Sequence, residues 1–183
     1  MKKTLVYGWF GEDNLGDELL LNETLELLSE NKDIEAYVMC SNPLRVKKNH
    51  CVRVAAVAID GTLKKYIKAI LLSPWAIIKC LYQTDNLIIA GGGAISDWNY
   101  SSTKEMFFLI NWFKRRNKKV YLLGVGAGPI TKERKYGRFY NVLSKADVIT
   151  VRDEFSKSEL NKIGLNNVYK SNDLVTYLSL IHI

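Results

Sequence analysis

The sequence predicts an α/β fold built on a doubly wound, Rossmann-like and mostly parallel sheet. Three observations carry that expectation. Short runs rich in Val, Ile, Leu and Tyr alternate with helix-length segments along the chain. Several of these runs are continuously apolar, as strands buried on both faces must be. Three of them lead into glycine-rich stretches, Gly8–Asp17, Gly91–Asp97 and Gly124–Pro129.

Taken in order, Lys3–Gly8 reads as the first strand because Leu5, Val6 and Tyr7 are consecutive and apolar. Asp17–Glu30 reads as a helix. Its Leu21, Leu25 and Leu28 fall at i, i+4 and i+7, and Leu20 and Leu27 widen the stripe. Asn14 and Asp17 are good N-cap types, and acidic residues are favoured beside the positive end of the helix dipole. Ile34–Cys40 is a second strand, closed by the turn Ser41–Pro43. Cys51–Val57 is a third, after a basic connection that shows no pattern. Thr62–Tyr82 is expected to be helical, kinked or split at Pro74. Asn86–Ala90 is a strand running into Gly91–Gly93, and Thr103–Arg116 an aromatic helix. Lys119–Val125 is a strand, Lys132–Lys145 a helix and Asp147–Val151 a strand. Glu154–Ile163 is a helix ended by Gly164, and Asn167–Lys170 a last short strand. No internal repeat or low-complexity stretch interrupts the alternation.

A chain of 183 residues can bury a proper core. Its net charge of +7 suits nucleic acid, an anionic membrane surface, or small phosphorylated and carboxylated substrates. No helix-turn-helix, RNA-recognition or zinc pattern supports nucleic acid, which is therefore not expected as a partner. The basic clusters Arg45–Lys48, Lys114–Lys119 and Lys132–Arg138 read as solvated faces. Cys40, Cys51 and Cys80 match no metal or redox spacing, so buried thiols in a reducing compartment are expected. No signal-peptide core follows Met1-Lys-Lys, and the expected location is the cytoplasm. Tyr66–Tyr82 is the most apolar region, but its longest uncharged run, Ala69–Ile78, has ten residues. A bilayer span needs roughly 20. This region reads as a core helix, with peripheral docking at the inner membrane face as the alternative.

Ligands of open α/β sheets sit beyond the carboxyl ends of the strands. Three glycine-rich loops at those ends point to a shared cleft. None is a Walker loop, and Gly8, Gly11 and Gly16 do not have the dinucleotide spacing. Gly124, Gly126 and Gly128 alternate along an extended segment, which suits close backbone approach. A fourth loop holds Arg152, Asp153 and Glu154. There Asp153 or Ser156 would cap the next helix, while Arg152 either pairs with a carboxylate or grips an anion.

Four blocks in order resemble the polysaccharide pyruvyl transferase family. They are Gly8-Trp-Phe-Gly11-Glu-Asp-Asn14-Leu-Gly16-Asp17-Glu18, Gly91-Gly92-Gly93-Ala-Ile-Ser-Asp97, Gly124-Val-Gly126-Ala-Gly128-Pro129 and Val151-Arg152-Asp153-Glu154-Phe-Ser156. Leu160–Gly164 follows at the expected place, so the resemblance covers nearly the whole chain. It implies the N-terminal lobe of a two-lobed fold similar to GT-B glycosyltransferases. It also implies transfer of the enolpyruvyl unit of phosphoenolpyruvate onto a sugar of a cell-surface or exopolysaccharide precursor in bacteria, giving a pyruvate ketal. Phosphoenolpyruvate would be the donor substrate, a sugar or lipid-linked saccharide the acceptor, and no metal or cofactor would be needed.

On that resemblance Arg152 is the donor-contacting cation, and Asp17 and Asp97 are candidates for acceptor binding or acid/base work. Helix capping stays open as the alternative for each carboxylate. Gly8, Gly11, Asn14, Gly91, Gly92, Gly93, Gly126 and Gly128 would line the substrate cleft. The family carries a second lobe with a histidine and further basic residues. Here residues 1–177 read as the first lobe, and 178–183 as a truncated or non-native tail in which His182 has no role. The fragment alone is expected to be inactive. Two other readings stay open, a GT-B-type glycosyltransferase lobe and a non-catalytic Rossmann-like binding module.

Overall fold

The structure is a computed structural model and describes residues 1–12, 14–50, 52, 54–57, 74–93, 95–98 and 100–171. Seven strands form one sheet: β1 Lys2–Tyr7, β2 Ile34–Cys40, β3 Val54–Val57, β4 Asn86–Ala90, β5 Lys119–Val125, β6 Val148–Val151 and β7 Tyr169–Lys170. Their spatial order is β3-β2-β1-β4-β5-β6-β7, and every neighbouring pair is parallel. The chain therefore builds outward from β1 in one direction and from β4 in the other. This is the expected doubly wound Rossmann-like sheet.

The helices are α1 Leu15–Ser29, α2 Pro43–Asn49, α3 Pro74–Ile78, α4 Tyr100–Lys114, α5 Tyr136–Leu143 and α6 Glu154–Lys162. A wider π-type turn, Lys79–Gln83, prolongs α3. Because side chains alternate along a strand, the apolar runs supply both faces of the sheet. Val6, Val38, Cys40, Ile88 and Ala90 pack against Phe10, Leu20, Leu21 and Val46 on the side of α1 and α2. Leu5, Met39, Leu87, Ile89 and Leu122 pack against Ile77, Phe107, Ile110, Phe113, Phe139 and Leu160 on the side of α3 to α6. Each fully buried Leu, Ile or Phe here is worth roughly 1.5–3 kcal/mol of transfer free energy.

Most predicted elements stand within about three residues of their expected places, β3 starting three residues later and α4 three earlier than read. The stretch after Cys40, expected as a turn and a patternless link, is instead the helix α2. Asn42 caps it, its Oδ1 accepting from Arg45 N at 3.2 Å, and Pro43 occupies the first turn. Val46 is its only buried residue, so no apolar period betrays it. The predicted helix Lys132–Lys145 opens as a 3₁₀ turn at Glu133–Lys135 before α5 begins. Of the predicted helix Thr62–Tyr82, residues 62–73 lie outside the described residues, and α3 starts at Pro74. Cys51, Asp173, His182 and the 178–183 tail also lie outside them.

Candidate functional site

In this topology the crossovers leave β1 and β4 toward opposite faces, so the crevice between those two strands opens at their carboxyl ends. A small recess lies there, lined by Tyr7, Gly8, Trp9, Asp17, Ile89, Ala90, Gly91 and Gly92. Two of the glycine-rich loops meet in it.

The loop after β1 folds back on its own aromatic residue. Phe10 is fully buried, and a Cβ on Gly8 would overlap its ring. Gly11 N donates to Glu18 Oε1 at 2.6 Å, and the other oxygen of Glu18 lies 3.0 Å from His50 Nε2. Gly11 also packs tightly against Asn42. Asn14 caps α1, its Oδ1 accepting from Gly16 N at 3.1 Å while its Nδ2 donates to Asp17 Oδ2 at 2.7 Å. Asp17 thus stands at the first turn of α1, facing the recess. Burial raises the proton affinity of its carboxyl and the adjacent Glu18 adds to that, against the lowering effect of the Asn14 bond.

The loops after β4 and β5 are joined to each other. Gly126 N donates to Gly92 O at 2.7 Å, Ile95 N to Gly126 O at 3.3 Å and Gly128 N to Ile95 O at 2.7 Å. The sheet pairing therefore continues past the strand ends through an Ile95–Ala127 bridge. Gly91 has a φ of +51°, and a Cβ there would overlap the Leu20 side chain of α1. Gly92 and Gly93 face open space.

Asp97 is buried and fastens this region. Its carboxylate accepts from Thr131 N at 3.1 Å, Lys132 N at 2.9 Å and Thr131 Oγ1 at 3.0 Å. Burial would raise its pKa, but these bonds and the Lys135 charge outweigh it and hold the carboxyl below its ordinary range.

Arg152 follows β6 and lies over the backbone of Gly126. A Cβ on that glycine would stand 3.2 Å from both Nε and Nη2 of the arginine. Its Nε donates to Asp153 Oδ2 at 3.3 Å, while both terminal nitrogens lack a hydrogen-bond partner among the described residues. Asp153 is the cap of α6, its Oδ1 accepting from Ser156 N at 2.7 Å. The helix is then sewn to the β5 loop at two points: Ala127 N donates to Ser156 Oγ at 2.9 Å and Ile130 N to Glu159 Oε2 at 2.8 Å.

The structure thus brings Asp17, Gly8, Gly91 and Gly92 together at the recess, with Gly126 and Arg152 adjoining through Gly92. Asp97, Gly11, Asn14 and Gly128 are placed in its supports, where each has an intramolecular partner. Sequence reasoning gave no role to Glu18, His50 or Glu159, and it offered Ser156 only as an alternative cap of α6, a place that Asp153 takes. The spacing of Ser156 and Glu159 along α6 was visible, but their acceptor bonds to the β5 loop join residues 29 apart. Among the described residues no group of three or more His, Cys, Asp or Glu side chains is placed to hold a metal ion.

A family model described as polysaccharide pyruvyl transferase matches residues 14–182. Among solved structures, the chain resembles a protein from Listeria monocytogenes described as a UDP-N-acetylglucosamine 2-epimerase, with a TM-score of 0.53 and 12% identity. That match covers 92% of this chain and 44% of the other, so this chain spans less than half the length of that protein. A functionally uncharacterised protein from Klebsiella pneumoniae subsp. pneumoniae aligns with a TM-score of 0.49 and 17% identity, over 98% of this chain and 52% of that one. No curated protein matches the sequence. At such identities the structural likeness speaks for the fold alone.

Proposed function

The chain belongs to the polysaccharide pyruvyl transferase family, and from that premise we propose that its carboxyl-edge recess forms one wall of a site that moves the enolpyruvyl group of phosphoenolpyruvate onto a sugar. The reaction needs a proton delivered to the methylene carbon of the donor, which leaves a cation-like centre at the neighbouring carbon. A sugar hydroxyl attacks that centre and loses its proton. A second hydroxyl of the same sugar then forms the other C–O bond and gives up its proton as the phosphate C–O bond breaks, so inorganic phosphate leaves and the product is a cyclic ketal. The donor is a polyanion, so the site requires a cation that is not consumed by the protein itself.

Arg152 is the observation that carries this reading. Its guanidinium is half-exposed and its terminal nitrogens are unengaged among the described residues. It lies against Gly126, where any side chain would press on its Nε and Nη2. On this reading it grips the donor carboxylate or phosphate. Asp17, whose proton affinity is raised by burial, faces the recess and is the acid/base candidate. Trp9, partly exposed in the same wall, offers a flat apolar face to a sugar ring. Asp97 serves as a positioning residue that fixes the β5 loop under Arg152, its oxygens being held by Thr131 and Lys132.

The test is phosphate release from phosphoenolpyruvate by the whole protein, with and without sugar acceptors. Acceptor-dependent release is expected, falling at least about 100-fold in Arg152→Ala. Turnover of a nucleotide sugar in place of phosphoenolpyruvate would overturn the reading in favour of a glycosyltransferase.

A further inference from the structure

The outer flank of the sheet carries a surface that the recess does not explain. Along α3 and its π-type continuation, Ile77, Cys80 and Leu81 enter the core, whereas Trp75, Ile78 and Tyr82 are 75%, 45% and 57% exposed. Those three stand at i, i+3 and i+7, which is one stripe of a helix. The neighbouring helix α4 continues the stripe with Phe108, 45% exposed, and Trp112. The two helices meet edge to face: the Tyr82 and Trp112 rings are 5.2 Å apart at 87°, and Phe108 and Trp112 are 5.7 Å apart. Trp112 spends its only polar group inward, donating Nε1–H to Leu81 O at 3.1 Å, so its ring presents no unsatisfied donor outward.

The stripe is rimmed by cations. Arg116 sits over the Trp112 ring at 3.5 Å and over Tyr82 at 5.2 Å. Lys79, Lys104 and Arg115, on or just past the same two helices, are exposed, while the Lys118 ammonium is taken up by the carbonyls of Tyr82 and Thr84. The carboxylates nearby are turned to other tasks. Glu105 is buried on the inner side of α4, Asp147 is bonded to Lys114 and Lys119, and Asp85 accepts from the backbone of Lys3.

We propose that this flank docks on a membrane bilayer bearing anionic lipid headgroups. Exposed aromatic rings with long cations around them are the composition of a bilayer interface, where rings enter the headgroup layer and Lys and Arg reach the phosphates. The positive rim selects an anionic surface by charge complementarity. None of these aromatic residues lines the recess, so the inference stands apart from the transfer chemistry above.

Vesicle co-sedimentation decides it, using phosphatidylcholine alone and phosphatidylcholine mixed with phosphatidylglycerol. The protein should sediment only with the mixed vesicles, and less as salt rises. Trp75→Ser should weaken that binding about tenfold with the melting temperature unchanged, and Tyr82→Ser by a similar factor at temperatures where the variant, having lost its contact with Trp112, is still folded. Brominated phosphatidylglycerol should quench tryptophan emission in the unaltered protein, a readout independent of how any variant folds. Absence of binding, equal binding to both vesicle types, or lack of quenching would each overturn the proposal. So would a dimer in solution that Tyr82→Ser dissolves while vesicles go unbound, since that would assign the face to a second copy of the chain.

Discussion

Two carboxylates at the same edge of the sheet have been given opposite circumstances. Asp17 faces the recess between β1 and β4, is held by a single side-chain donor from Asn14, and has its proton affinity raised by burial. Asp97, in the loop after the neighbouring strand β4, is buried among three donors of Thr131 and Lys132 that hold its carboxyl below the ordinary range. The difference lies in donors and not in residue type. A carboxylate supplied with backbone N–H groups becomes a fastener, and one deprived of them keeps its proton chemistry. The loops differ in the same way. The β4 and β5 loops are bonded to each other and to α6, while the recess wall relies on shape, through Phe10 beneath Gly8 and Leu20 beside Gly91.

That contrast can be broken experimentally. The largest effect is expected at Gly91, where a side chain would meet both a positive φ and the Leu20 methyls. Gly91→Ala should cost roughly 2–4 kcal/mol in urea unfolding. Unchanged stability would mean that α1 does not press on the β4 loop. Asp97→Ala should cost about 1–3 kcal/mol and loosen Thr131 and Lys132, seen as faster amide exchange there. Asp17→Asn should behave in the opposite sense. A raised folded-state pKa means the native state pays for the charge at neutral pH, so the melting temperature should hold or rise slightly while transfer activity collapses. Loss of stability together with activity would reassign Asp17 to helix capping.

The smallest effect sits at the amino edge. Burial would raise Asp147, but bonds from Lys114, Lys119 and Val120 bring it down to about 2. Its folded pKa lies below the unfolded value, so its contribution is present above about pH 4 and is lost as pH falls through about 2. Screening at this exposed site limits it to about 1 kcal/mol. Asp147→Asn should flatten the acid limb of an unfolding curve by that amount.

Much of this fold was legible because parallel strands buried on both faces write themselves as continuous apolar runs. Ile34–Cys40, Asn86–Ala90 and Lys119–Val125 stand where the runs placed them. Helix α2 was not legible by period, since a single buried residue has none, although Asn42-Pro43 carried a cap-and-first-turn signal. The site was legible in its glycines and in Arg152, but not in the reasons for them. The ring that Gly8 accommodates belongs to Phe10, whereas Gly91 answers to Leu20 and Asp97 to Thr131, 34 positions away. Leu20 and Thr131 are brought to Gly91 and Asp97 by strand order, which local pattern does not encode.

The two described cysteines offer a chemical clock. Cys40 ends β2 with its side chain in the core on the side of α1, and Cys80 points from the π-type turn into the core on the other face, each with no exposed surface. Burial pushes both thiols up to about 12, so the reactive thiolate is scarce at pH 7. With Cys51 replaced by serine, alkylation at neutral pH would proceed only through openings that expose sulfur to water. Comparing the rates at Cys40 and Cys80 then times, on opposite sides of one sheet, how often each layer lifts away from the strands it covers.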